Sequence, residues 1–291
     1  MPKVGDVIGR FSLERVLGRG PMSEVFLAVE EGTGWKAAFK TFLLEPGSRT
    51  SDHAQWADRM QREARHAASF QHPNVVAIHE VGELGGAPYL VRDFIEGRPL
   101  AEYVTDCSPG SFERKRDWLL ELARTLADIH RAGLVHRHVK PTNVLIRRDG
   151  ALRVLDFGVA RRSLDREAGL VTARPDRTPT PGAVRVVGTP AYMAPERFAH
   201  KGTSQVADQF GWGVLAYELL AGRLPWGDGK RLRPVKTIES ILTEDPPSAR
   251  AFVPRLSVAL DELLARTMAK EPRARFASMD EVVRAFEAAA R

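Results

Sequence analysis

The chain has 291 residues, of which 43% are hydrophobic, 27% charged and 8% aromatic, enough to bury one large core or two lobes. That composition excludes a disordered chain, a collagen-like repeat and a disulfide scaffold, and the single cysteine, Cys107, has no partner for an intramolecular disulfide or a zinc site. A net charge of +6 raises nucleic acid as a partner, but acidic residues are interleaved almost everywhere, and no run approaches the roughly 18 apolar residues of a spanning helix. The expectation is a soluble, cytoplasmic protein that binds neither nucleic acid nor membrane within this chain.

Short alternating runs at 11–16, 24–29 and 36–42, separated by Gly-rich turns, predict an antiparallel sheet. Between 52 and 70 the spacing turns helical, with Trp56, Met60, Ala64 and Ala67 on one stripe. Two further strands, 75–81 and 89–94, flank the turn at Gly85 and Gly86. After Pro99 the pattern is mainly helical, with helices predicted at 112–132, 206–221, 234–242, 256–269 and 278–290. The stretch 163–185, rich in Pro, Thr and Arg, is too long for an ordinary connection and reads as a functional loop. The organisation is therefore a small β-rich lobe with one helix, 1–94, followed by a larger, mainly helical lobe, 95–291.

From Leu17 the sequence reads LGRGPMSEVFLA, a glycine-rich turn between two strands. Alone it signals no more than a tight hairpin, but Lys40 follows on the next strand and Glu63 on the first helix. A lysine reaching phosphates and held by a helix glutamate is a more specific arrangement. Further on stand His136-Arg137-His138-Val139-Lys140-Pro141-Thr142-Asn143, then Asp156-Phe157-Gly158, then GTPAYMAPE over 188–196.

The order and spacing of these five motifs resemble the eukaryotic-type protein kinase domain over essentially the whole chain. Within that family the closest resemblance is to bacterial serine/threonine kinases, through Arg62-Glu63-Ala64, the run from Gln71 to Val76 and that from Lys270 to Phe276. The resemblance implies a bilobal α+β kinase fold acting on ATP and magnesium, with a protein as substrate or partner. It implies that Gly18 and Gly20 lie over the phosphates, that Lys40 holds them, and that Glu63 pairs with Lys40. It places Val25, Ala38 and Leu145 around the adenine, Asp93 and Ile95 at the hinge, Asn143 and Asp156 on magnesium, and Lys140 near the γ-phosphate. It makes Glu196 and Arg275 a buried ion pair, and Asp208 a cap on backbone donors of the catalytic loop. Arg137 could receive a phosphothreonine from Thr172, Thr178 or Thr180.

Three departures surround the phosphoryl group. His138 stands where the family has the aspartate that orients the substrate hydroxyl and takes its proton; imidazole offers one neutral acceptor in place of two anionic carboxylate oxygens. Arg92 occupies the position at the back of the nucleotide pocket, where the family has an apolar residue, unless it snorkels to solvent or the register slips by one. Pro21 removes an amide from the glycine loop, and Ser23 replaces its third glycine. The combined reading is a pseudokinase with lost or strongly impaired phosphoryl transfer, acting as a scaffold or regulator. The alternative is an active or weakly active serine/threonine kinase; a kinase of small molecules is disfavoured by the segment from Gly188 to Glu196.

Overall fold

Alternation of buried and exposed residues from Phe11 onward builds a six-stranded antiparallel sheet in the order β1-β2-β3-β4-β6-β5. Its strands are β1 (Val7–Ile8), β2 (Phe11–Arg19), β3 (Ser23–Glu30), β4 (Lys36–Phe42), β5 (Ile78–Leu84) and β6 (Ala87–Asp93). The computed structural model describes residues 2–20, 23–42, 50–155, 190–198, 204–226 and 234–289. The chain divides into two compact units at Gly97/Arg98.

In the first unit one sheet face carries Phe11, Leu13, Phe26, Phe39 and Val91, a buried cluster. Phe39 stacks on Tyr89 at 4.7 Å between ring centroids, and Phe11 meets Phe39 edge-on at 6.1 Å. Helix α1 (Thr50–Ala68) packs on β5 and β6 and buries Met60, Ala64 and Ala67, the predicted stripe, while the side chain of Trp56 lies outside the described residues. Gly82 lets Tyr89 lie flat across its strand, since a Cβ at 82 would fall 2.4 Å from the ring.

The second unit is built around α2 (Ser111–Arg131) and α4 (Gln205–Ala221). Helix α4 is buried on nearly every side, as its composition requires: Phe210, Trp212, Val214, Leu215 and Leu219 are fully enclosed. Between them in sequence lies a short α3 (Pro195–Phe198), and after them α5 (Pro234–Thr243), α6 (Val258–Thr267) and α7 (Met279–Ala289). Trp212 donates its indole N–H to the carbonyl of Leu119 and meets Phe286 edge-on, tying α4 to α2 and α7.

The strand expected at 75–81 begins only at Ile78; a turn at 73–74 precedes it, and the Ala77 carbonyl accepts the Asp93 amide at 3.1 Å. A second sheet of three short strands, β7 (Gly97–Pro99), β8 (Val144–Arg147) and β9 (Leu152–Val154), interrupts the region predicted as helical. Strands of three or four residues leave too little alternation to register as a period of two. No described helix is long and apolar enough to cross a membrane.

Candidate functional site

In the first unit the sheet register sorts the predicted nucleotide-binding residues onto one face. Residues paired across antiparallel strands point to the same side, and the pairs are Val25↔Lys40, Leu27↔Ala38, Lys40↔Leu90 and Ala38↔Arg92. Val25, Ala38, Lys40 and Arg92 therefore share the face opposite the Phe39 cluster. Lys40 is half-buried with its Nζ 5.1 Å from the Phe42 ring centroid, and Glu63 is half-buried on α1. Gly18 pairs with Val25, and the Gly20 amide donates to the Ser23 carbonyl at 2.8 Å, closing the hairpin turn; Pro21 lies outside the described residues.

Arg92 is 7% exposed, so it does not snorkel to solvent. It stands opposite Ala38, flanked by Val91 opposite Phe39. A guanidinium keeps its charge under all ordinary conditions, so the face that carries Lys40 also carries a second, buried cation. Next to it Asp93 turns one carboxylate oxygen to His79 Nε2 at 2.7 Å and donates its amide to the Ala77 carbonyl, and Ile95 follows, half-buried, past the strand end.

In the second unit the segment His136–Asn143 is held by one buried carboxylate. Asp208, 2% exposed in the first turn of α4, accepts the amides of His136 at 2.7 Å and Arg137 at 2.6 Å, and His130 Nε2 at 2.9 Å. This is the capping role expected of it; His130, which the sequence reading missed, completes the set. Its one signal was a polar residue on the buried side of an amphipathic helix. Arg137, held from its amide by Asp208 and from its carbonyl by the Arg197 guanidinium at 2.8 Å, takes a left-handed φ of 73°. Among the described non-glycine residues it alone does so, a conformation retained where surrounding bonds over-determine it.

His136 Nδ1 accepts the His138 amide at 3.2 Å, so its Nε2 carries the proton and donates to the Leu155 carbonyl at 3.1 Å. Asn143 Nδ2 donates to the His138 carbonyl at 2.9 Å. That bond fixes which end of the amide is nitrogen and leaves Oδ1 unclaimed among the described residues. A hard oxygen presented this way fits a magnesium ligand. Lys140 is half-buried in extended backbone just before the turn Pro141–Asn143, and Leu145 is half-buried on β8 opposite Arg153.

Glu196 and Arg275 form the expected pair, bidentate at 2.8 Å for both bonds, and Arg275 adds bonds to the carbonyls of Val206, Ala269 and Lys270. With the guanidinium fully enclosed, those extra acceptors are what make its burial tolerable. Tyr192 donates to Glu218 at 2.5 Å, and burial raises the pKa of both groups. The structure thus gathers His138, Lys140, Asn143 and Leu145 in one unit, and Gly18, Gly20, Val25, Ala38, Lys40, Glu63, Arg92, Asp93 and Ile95 in the other. Asp156, Phe157, Thr189 and the threonines at 172, 178 and 180 lie outside the described residues.

The family model described as "Protein kinase domain" matches residues 11–286. A probable serine/threonine-protein kinase of Streptomyces coelicolor is 33% identical over 279 residues, 94% of this chain and 39% of its own length. The serine/threonine-protein kinase Pkn1 of Myxococcus xanthus is 34% identical, over 96% of this chain and 38% of its length, and PknH of Mycobacterium tuberculosis 34%, over 95% and 41%. The chain spans about two fifths of the length of these relatives.

Proposed function

The chain belongs to the protein kinase domain family, and from that premise we propose that it is a pseudokinase, a kinase-fold protein that transfers phosphoryl groups poorly or not at all and acts on a protein partner as scaffold or regulator in the cytoplasm. The observation that carries this reading is the clamped backbone around His138. Asp208 holds the two preceding residues, and Asn143 holds the carbonyl of His138 itself. These bonds fix the backbone from which the side chain at 138 projects. Imidazole offers one neutral acceptor nitrogen there in place of the two anionic oxygens of a carboxylate, so it holds a substrate hydroxyl and takes its proton less well. A positioned base contributes on the order of 10² to 10⁴ in rate, and that is the expected loss.

Nucleotide and magnesium fit this chain unequally. Bound magnesium would neutralise charge on the transferring phosphoryl group, and Asn143 Oδ1 suits it. Lys40 is placed on the same sheet face as Val25 and Ala38, as a phosphate-holding lysine needs. Arg92 opposes the fit, because a nucleotide closing over this face would bury its charge further where the family has an apolar residue. The second reading, a weakly active serine/threonine kinase, is favoured by the retained Lys40, Lys140 and Asn143 and by relatives that are named serine/threonine kinases.

The discriminating experiment is to dephosphorylate the purified chain, remove the phosphatase, add ATP and magnesium, and follow intact mass together with transfer to a generic protein substrate such as casein. The pseudokinase reading expects no time-dependent increment in either, or one slower by on the order of 10² or more than working kinases, whose turnover is roughly 1–100 s⁻¹. Increments at a faster rate overturn it in favour of the second reading.

A further inference from the structure

Away from the residues discussed so far, the second unit contains a groove of about 510 Å³, between the loop that precedes α2, the first turn of α2, the end of α4 and the segment around Phe252. Its chemistry is divided. Leu220, Val253, Phe112 and Phe252 make an apolar part, and Phe252 is 42% exposed although aromatic. The other part is rich in donors. Helix α2 is 21 residues long, and its N-cap is Gly110, which has no side chain to cap it. The Arg114 amide reaches the Gly110 carbonyl, but the amides of Phe112 and Glu113 find no acceptor among the described residues.

Three side chains reinforce that first turn. Ser111 lines the groove at 5% exposure, and its hydroxyl has no hydrogen-bond partner among the described residues. Lys115, also 5% exposed, spends two N–H groups on the carbonyls of Val104 and Asp106, at 3.0 and 2.8 Å, with no carboxylate in direct contact among the described residues, although the Asp106 charge favours its ammonium. Arg255 lies over the Phe112 ring at 4.3 Å from its centroid. Two acidic residues also line the groove. Asp106 is committed to the Ser108 amide and to Arg114, and Glu113 is exposed.

A groove-facing hydroxyl without a partner among the described residues, two free amides at the positive end of a long helix and a buried lysine close by ask for an anion. The adjoining apolar wall asks for a hydrocarbon body, and the volume lies in the range of small-molecule sites. We propose that this groove binds a small apolar carboxylate, its head at Ser111 and the Phe112 and Glu113 amides, its body along Phe112, Leu220, Phe252 and Val253. Lys115 and Arg255 supply the positive field. The site is independent of whether phosphoryl transfer survives.

The test is calorimetric titration of the whole chain with decanoate below its micellar concentration, with decanol and acetate as controls. The expected result is saturable one-to-one binding of decanoate, at least tenfold tighter than either control. Losing a hydrogen bond to a charged group weakens binding by about tenfold or more, so Ser111→Ala should do so. Arg255→Gln should weaken it severalfold and Glu113→Gln tighten it. All three changes lie at the helix start or on the surface, and an unshifted melting temperature checks that the fold is intact. Absence of saturable decanoate binding overturns the proposal. So does decanol binding as tightly as decanoate, acetate binding as tightly as decanoate, or an affinity indifferent to Ser111→Ala and Arg255→Gln.

Discussion

Asn143 and His138 are joined through the His138 carbonyl, which accepts the Asn143 side-chain amide at 2.9 Å. The candidate magnesium ligand is thus tied to the departing position by backbone and not by imidazole. His138 also donates its own amide to His136 Nδ1. Neither bond depends on which side chain stands at 138, so the loop can keep its form while its chemistry changes.

His138→Asp is accordingly expected to leave the melting temperature within a few degrees and to raise self-phosphorylation by on the order of 10² to 10⁴ if the missing base is the main block. Intact mass against time, with ATP and magnesium, measures it. An unchanged rate would move the block to Arg92 or the glycine loop.

Arg92→Met should tighten nucleotide binding by tenfold or more, read by titration with a fluorescent ATP analogue. The argument is the burial of the guanidinium on the face that carries Lys40 and Ala38. An apolar side chain of similar length fills the same space without a cation against the ring. Weaker binding in the variant would mean that Arg92 itself holds the nucleotide.

Asp208→Ala removes one carboxylate from three donors, the His136 and Arg137 amides and His130 Nε2. Stranding buried donors in this way costs about 3–5 kcal/mol. Urea denaturation measures the loss, and a value below about 1 kcal/mol would mean that water reaches the site and replaces the carboxylate.

What the sequence made legible was whatever rests on spacing: the sheet and its turns, the amphipathic helices, and motif residues close together in the chain. Glu196 with Arg275 and Asp208 with the 136–137 amides were reachable only through resemblance, since 79 and 72 or 71 residues separate the partners. His130 and Arg197 were missed because each acts across a fold that periodicity does not describe. The groove beside Ser111 was invisible for a related reason. Its donors are backbone amides and a serine at a helix start, where the sequence shows an ordinary Gly-Ser boundary.

Gly213→Ala tests the close approach of α4 to α6. A Cβ at 213 would fall 2.3 Å from Thr267 Oγ1 and 2.9 Å from its Cβ, and Thr267 is fully buried. Overpacking of this kind costs about 1–3 kcal/mol. Thr267→Ala removes the obstructing hydroxyl, so the double variant should recover part of the loss. A double-mutant cycle by urea denaturation reads the coupling, and strict additivity would show that the two positions do not press on each other.

Lys270 sets a stability change that depends on pH. Burial is the main cause that lowers its pKa to about 8; Asp245 and Glu244 pull it back up and Arg275 adds to the lowering. Its ammonium lies 4.3 Å from the Trp226 ring centroid, with Nζ buried and without a hydrogen-bond acceptor among the described residues. Below about pH 8 both folded and unfolded chains carry the proton, and the burial penalty is constant. Between about 8 and the ordinary 10.5 the unfolded chain holds a proton that the folded chain has released, so stability rises with pH across that window. Lys270→Met lacks this contribution. The variant should therefore be the more stable of the two at pH 7, and its advantage should shrink steadily toward pH 10.5. Tyr217, raised to about 12, titrates above the window, and Tyr192 and Glu218 are common to both proteins, so the difference in melting temperature isolates Lys270. A variant less stable at pH 7 would mean that the attraction between the ammonium and Trp226 outweighs the cost of burying it.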